Sequence, residues 1–178
     1  MKINLRPYRG ASSRAAMVAL AAAYPDDNLH VVDLPYRLAS WALDDPGNVA
    51  LWEDGRGGLA AWAVLQAPFW AVDIATRPDA ESSAFPRALD WAAERARAAR
   101  GMPADRSAWY VHCLGDQQDR LRVLEEAGFL CQAEVGDDSW SRVLLRRDGV
   151  APTDAAVPPP GFSVRPIQGV REVAAYVD

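Results

Sequence analysis

The sequence predicts a mixed α/β fold of the α+β kind, and three stretches carry that expectation. "VALWEDGRGGLAAWAVLQ" (49–66) sets two apolar runs on either side of Asp54–Gly55 and Gly57–Gly58, which is the signature of a β-hairpin. "FPRALDWAAERARAAR" (85–100) is an amphipathic helix. Phe85, Ala88, Leu89, Ala92, Ala96 and Ala99 share one face, and Arg87, Asp90, Glu94 and Arg97 line the other. "AWYVHCLG" (108–115) is apolar without alternation, as expected of a strand buried on both faces.

The remaining elements follow in order. Ile3–Arg6 reads as a strand. A helix runs from about Ser13 to Tyr24, capped by Ser12 or Ser13 and ended by Pro25, Asp26, Asp27 and Asn28. "DLPYRLASWAL" begins at Asp33, a suitable N-cap, with Pro35 in the first turn, and "DDPGN" closes it. After the hairpin comes a strand at about Trp70–Thr76, then the amphipathic helix, stopped by Gly101. "QQDRLRVLEEAGF" is a short helix ending at Gly128, a left-handed C-cap. Two last strands, about Leu130–Val135 and Trp140–Leu145, pair across "GDDS". The expected order is β-α-α-β-β-β-α-β-α-β-β.

Bulk properties narrow the function. The 178 residues suit one domain with a sizeable core. A net charge of −5 argues against nucleic acid as a partner, because phosphate binding needs clustered cations. No run approaches the length of a membrane span. Cys113 and Cys131 lack metal-ligand spacing and read as two small buried thiols in a reducing cytoplasm, so no metal is expected.

The chain also restarts. "LRPYRG" (5–10) returns as "VRPIQG" (164–169), and between them "DGVAPTDAAVPPPG" (148–161) breaks every period and is stiffened by Pro158–Pro160. "AAMVALAAA" (15–23) after Lys2, Arg6, Arg9 and Arg14 superficially copies a signal peptide. The recurrence of the same motif far along the chain favours a structural helix instead. The expected organisation is a domain at 1–147, a Pro-rich linker at 148–161, and the truncated start of a second copy at 162–178.

The element order, "LEEAGF" near its end and the layout "DLPYRLAS…LWEDGRGGLAAWAVLQ" resemble the GNAT N-acetyltransferase superfamily, and more narrowly the first half of bacterial tandem GNAT proteins. The resemblance covers about residues 1–147. It implies a mixed, mostly antiparallel sheet whose middle strands splay apart, and acetyl-CoA as co-substrate. Ile74 and Thr76 on the splayed strand would then pair with the pantetheine arm. The loop after it, with Ser82, Ser83 and Ala84, would meet the pyrophosphate at a helix N-terminus.

Carried over residue by residue, the family's arginine falls on Glu81 and its two glycines on Ala84 and Pro86. A carboxylate there repels phosphate, and proline removes an N–H. The family's asparagine falls on Gln117 and its tyrosine on Leu124, which has no proton to give. The serines equally suit a helix cap. Asp73, inside the splayed strand, is the candidate catalytic base, read against a buried structural ion pair. Tyr110 is the substitute acid, read against a core aromatic. His112 reads as a hydrogen-bonded core histidine, and His30 joins no constellation. Trp91 lies off the apolar stripe and is a candidate contact for the second domain.

The expected function is acetyl transfer to a small-molecule amine or a peptide, with this copy catalytically degenerate and the second GNAT domain as its partner. This copy need not bind acetyl-CoA itself. The alternative is a non-catalytic ligand-sensing or domain-interaction module on the same fold.

Overall fold

Five strands form one sheet in spatial order β1 (Asn4–Arg6), β2 (Val49–Glu53), β3 (Leu59–Gln66), β4 (Ala71–Thr76) and β5 (Tyr110–Val111). The first three pairings are antiparallel and the β4–β5 pairing is parallel, so the class is mixed α/β with a mostly antiparallel sheet. The computed structural model describes residues 3–25, 28, 34–99, 109–133, 160, 161 and 163. The strand expected at Trp140–Leu145, most of the linker, the second copy and His30 lie outside the described residues. The chain divides into two units, Met1–Cys131 and Gln132–Asp178, and the sheet belongs to the first.

The hairpin forms where the glycines require it. Asp54 Oδ1 accepts from the N–H of Arg56 (2.8 Å) and of Gly58 (3.1 Å), an Asx-type turn closed by the Asp54 N–H to Gly58 C=O bond of 2.9 Å. The register slips between Trp52 and Glu53, so Ala60 is an extra residue in β3. Beyond it the alternation divides the core. Ala61, Ala63 and Leu65 face α3 (Ala84–Ala98), while Trp62 and Val64 face α1 (Ala11–Ala23) and α2 (Leu34–Arg37). Both faces of β2 to β4 are thus covered. The Trp62 indole N–H donates to the carbonyl of Met17 (3.0 Å) and pins α1 to the sheet.

Asp54 has a second partner, the guanidinium of Arg77 just past β4, at 2.8 Å. That ion pair first, and then the Arg56 and Gly58 amides, hold the Asp54 carboxyl below its usual range. A carboxylate with a depressed folded-state pKa contributes stability above its unfolded value, and this is lost as pH falls through the folded value. Asp54→Asn is therefore expected to lower the melting temperature at pH 7 and to flatten the wild type's loss of stability below about pH 4. Thermal melts from pH 2 to pH 7 check this, and parallel acid limbs would refute it.

Helix α4 (Gln118–Glu126) ends as the glycine predicts. Gly128 sits at φ 87°, its N–H bonds the C=O of Glu125 (2.9 Å), and the N–H of Phe129 bonds the C=O of Leu124 (2.9 Å). Both bonds of a Schellman motif are present, and Phe129 packs on the core that holds Leu124.

Several expectations are corrected. Helix α1 starts at Ala11 behind Gly10, and no serine caps it. Instead Ser13 Oγ accepts from the Arg9 N–H (2.8 Å), and Ser12 Oγ donates to the Arg9 carbonyl. The second helix is one turn, followed by a 3₁₀ turn at Trp41–Asp44 that Ser40 caps. Strand β5 is two residues long with Tyr110 42% exposed, so it is not buried on both faces. Residues 130–133 are irregular rather than the start of a strand, and the rest of that segment lies outside the described residues. Cys131 is exposed and Cys113 is only partly buried, where burial pushes its thiol pKa up. Trp91, expected off the apolar stripe, packs edge-on against Trp52, ring centroids 6.3 Å apart, and lies half-buried against this unit's core.

Candidate functional site

Strand β4 has six residues, yet only Ala71 and Val72 pair with β5. The two strands part there, and beyond Val72 the outer edge of β4 has no strand partner among the described residues. Because Ala71, Asp73 and Ala75 form the hydrogen-bonded pairs with β3, a phase set by the Arg77 N–H to Ala60 C=O bond, the N–H and C=O of Thr76 point to that open edge.

A cleft of about 470 Å³ opens at this end of the strand. Its walls are Thr76, the loop from Arg77 to Ser82, the first turn of α3 with Ala84 and Phe85, and the start of α4 from Asp116 to Arg120. The Arg120 guanidinium lies 5.0 Å from the centroid of the Phe85 ring, a cation–π contact, and donates to Thr76 Oγ1 at 2.7 Å. Arg77 is taken by Asp54 and Asp79. Glu81, Asp116 and Asp119 set negative charge around the same opening. Asp119 also pairs with Arg122 at 2.8 Å.

The loop's chemistry suits an anion poorly. The N–H of Ala84 is spent on the carbonyl of Glu81 (2.8 Å), and Pro86 has none, which leaves Phe85 as the one remaining donor of the first three helical positions. The nearby Ser83 hydroxyl, and more weakly the Ile3 backbone, hold the Glu81 carboxyl below its usual range against the opposing effect of burial. Glu81 is thus a standing negative charge. Neither neighbour reaches full hydrogen-bond geometry, so Glu81 Oε2 and Ser83 Oγ stay buried without one. Ser83 occupies the N-cap position of α3 but makes no capping bond, and Ser82 is exposed in the cleft wall. The cap expected of the serines does not form. These residues do not fit a diphosphate.

The other sequence candidates scatter. Asp73 points to the opposite face of the sheet from the cleft. Its Oδ1 accepts from Arg37 Nη1 (2.5 Å) and its Oδ2 from Gln66 Nε2 (3.0 Å), and Gln66 also donates to the Arg37 carbonyl (3.0 Å). All three side chains are buried, so the network ties α2 to β3 and β4. Ile74 is a core residue under α3. Tyr110 is in register with Ala71, roughly 16 Å along β4 from Thr76 at ~3.3 Å per residue. His112 is half-buried just after β5. Gln117 Oε1 accepts from the Leu114 N–H (3.2 Å) and supports the turn before α4, and Leu124 is buried in the core.

Two residues of the cleft, Phe85 and Arg120, and Asn28, which bonds Thr76, escape a reading of the sequence. Asn28 is 1% exposed and reads locally as a helix breaker. Phe85 reads as ordinary core. Arg120 alone had a usable signal, because it lies one turn before the buried Leu124 on the same face of α4.

No family model matches the chain, and comparison with curated proteins and with solved structures returns no match. Among the described residues there is no cluster of His, Cys, Asp and Glu placed to hold a metal ion, and no helix long and apolar enough to cross a membrane.

Proposed function

We propose that residues 1–147 are a GNAT-like domain with an impaired co-substrate site. Acetyl transfer to an amine or peptide would then reside in the second copy announced by "VRPIQG". The observation that supports this is the parting of β4 from β5 after Val72, with a cleft at the end of β4 against the first turn of a helix. That is where a parted pair of strands exposes backbone groups and a helix start to a ligand. The impairment rests on Glu81, Pro86 and the spent Ala84 amide.

Calorimetric titration of the chain with acetyl-CoA tests the reading. Binding is expected to be weaker than about 100 μM, that is, less favourable than about −5.5 kcal/mol. Glu81→Arg should strengthen it about fivefold to tenfold by replacing a repelling charge at the helix start with an attracting one. Low-micromolar binding by the wild type would refute the impairment. Unchanged binding in Glu81→Arg would place the phosphates elsewhere.

A second reading is a ligand-sensing or interaction module without catalysis. It is favoured by the engagement of both Asp73 carboxylate oxygens with Arg37 and Gln66, which leaves the candidate base serving a buried network. Thiol release from acetyl-CoA over a panel of amines tests both, since neither expects turnover by this chain, and turnover would exclude the second reading and refute the impairment in the first.

A further inference from the structure

The open edge of β4 carries its own occupant. Asn28 Oδ1 accepts from the Thr76 N–H at 2.9 Å, and its Nδ2 donates to the Thr76 C=O at 3.3 Å and to the Tyr24 C=O at 2.9 Å. One side-chain amide thus satisfies both main-chain groups of Thr76, as a neighbouring strand would. Arg120 Nη2, which holds the Thr76 hydroxyl, also approaches Asn28 Oδ1 at 3.4 Å. Asn28 is almost fully buried, and the residue it covers is the one where the cleft meets the strand.

We propose that Asn28 is an autoinhibitory stand-in for a ligand, closing the Thr76 edge to the extended, amide-bearing arm of an acyl-CoA. This rests on the reading of the cleft given above. An arm with its own N–H and C=O groups pairs with a strand edge only where those edge groups are open, and at Thr76 the Asn28 amide supplies the same donor and acceptor intramolecularly. A ligand must therefore displace it, and the affinity lost is that of the two hydrogen bonds exchanged. The inhibition is separate from the phosphate end of the site, which Glu81 and Pro86 impair independently.

The test is calorimetry with acetyl-CoA on the whole chain, wild type against Asn28→Ala and Asn28→Asp, with amide hydrogen exchange followed at Thr76. The aspartate keeps the acceptor for the Thr76 N–H and loses the donor, so it decides the matter if the alanine variant fails to fold. Asn28→Ala should bind about tenfold more tightly than the wild type, with Asn28→Asp between them. Exchange at Thr76 should accelerate in free Asn28→Ala and slow again in its complex. Folded variants that bind acetyl-CoA with wild-type affinity would overturn the autoinhibition and leave the acyl-CoA reading standing. No binding by any folded protein, with Thr76 exchange accelerated, would likewise overturn the autoinhibition and reduce Asn28 to an edge cap, while low-micromolar binding by the wild type would refute the impaired site on which the proposal rests.

Discussion

Asp73→Ala is expected to destabilise the domain by about 3–5 kcal/mol, because it leaves the Arg37 guanidinium buried without its counter-charge. The pair sits at 2.5 Å with side chains 10% and 8% exposed, and Gln66 would lose an acceptor as well. Replacing both partners by apolar residues of similar volume, Arg37→Met with Asp73→Leu, should recover most of that loss, since the desolvation of two charges disappears along with their attraction. Urea unfolding of the two single variants and the double variant measures the coupling. The same experiment bears on catalysis. A base that acted in chemistry would cost turnover while leaving the unfolding midpoint in place, and that outcome would displace the structural account.

Trp62→Ala should cost about 3–5 kcal/mol by removing a large, fully packed side chain from the face between β3 and α1. Trp62 is 1% exposed, and its indole N–H is what holds the Met17 carbonyl. Trp62→Phe separates the two contributions. It keeps most of the apolar contact and loses the donor, so its cost should fall to about 1–3 kcal/mol. Denaturant titration with near-ultraviolet circular dichroism distinguishes a loosened α1 from global loss of structure. Equal costs for the two variants would mean that the hydrogen bond, and not the packing, carries the residue's effect.

Legibility in the sequence divided along a physical line. The β2–β3 hairpin, the amphipathic face of α3 and the glycine stop of α4 were all readable, because each is encoded within a few neighbouring residues. Asp54 and its glycines specify one turn, and Gly128 specifies one left-handed residue. The helical wheel placed Trp91 off the apolar stripe but could not show that Trp52, on another element, would meet it. Strand β5 misled for a related reason. An apolar run tells how much surface wants burial, not how many rungs its neighbour offers.

The sequence points to one border of the cleft but not to the partners its groups find. The segment from Thr76 to Phe85 was singled out, and it does border the cleft. The polar partners of the site candidates come from far along the chain. Asn28 reaches Thr76 across 48 residues, Arg120 reaches it across 44, and Arg37 reaches Asp73 across 36. Periodicity and turn chemistry settle the secondary elements, because hydrophobic burial and backbone dihedrals act over one or two turns of chain. Which polar groups neutralise one another inside the fold was decided only when the packed sheet brought remote segments within 3 Å, since a buried amide or carboxylate bonds whichever partner the tertiary arrangement delivers.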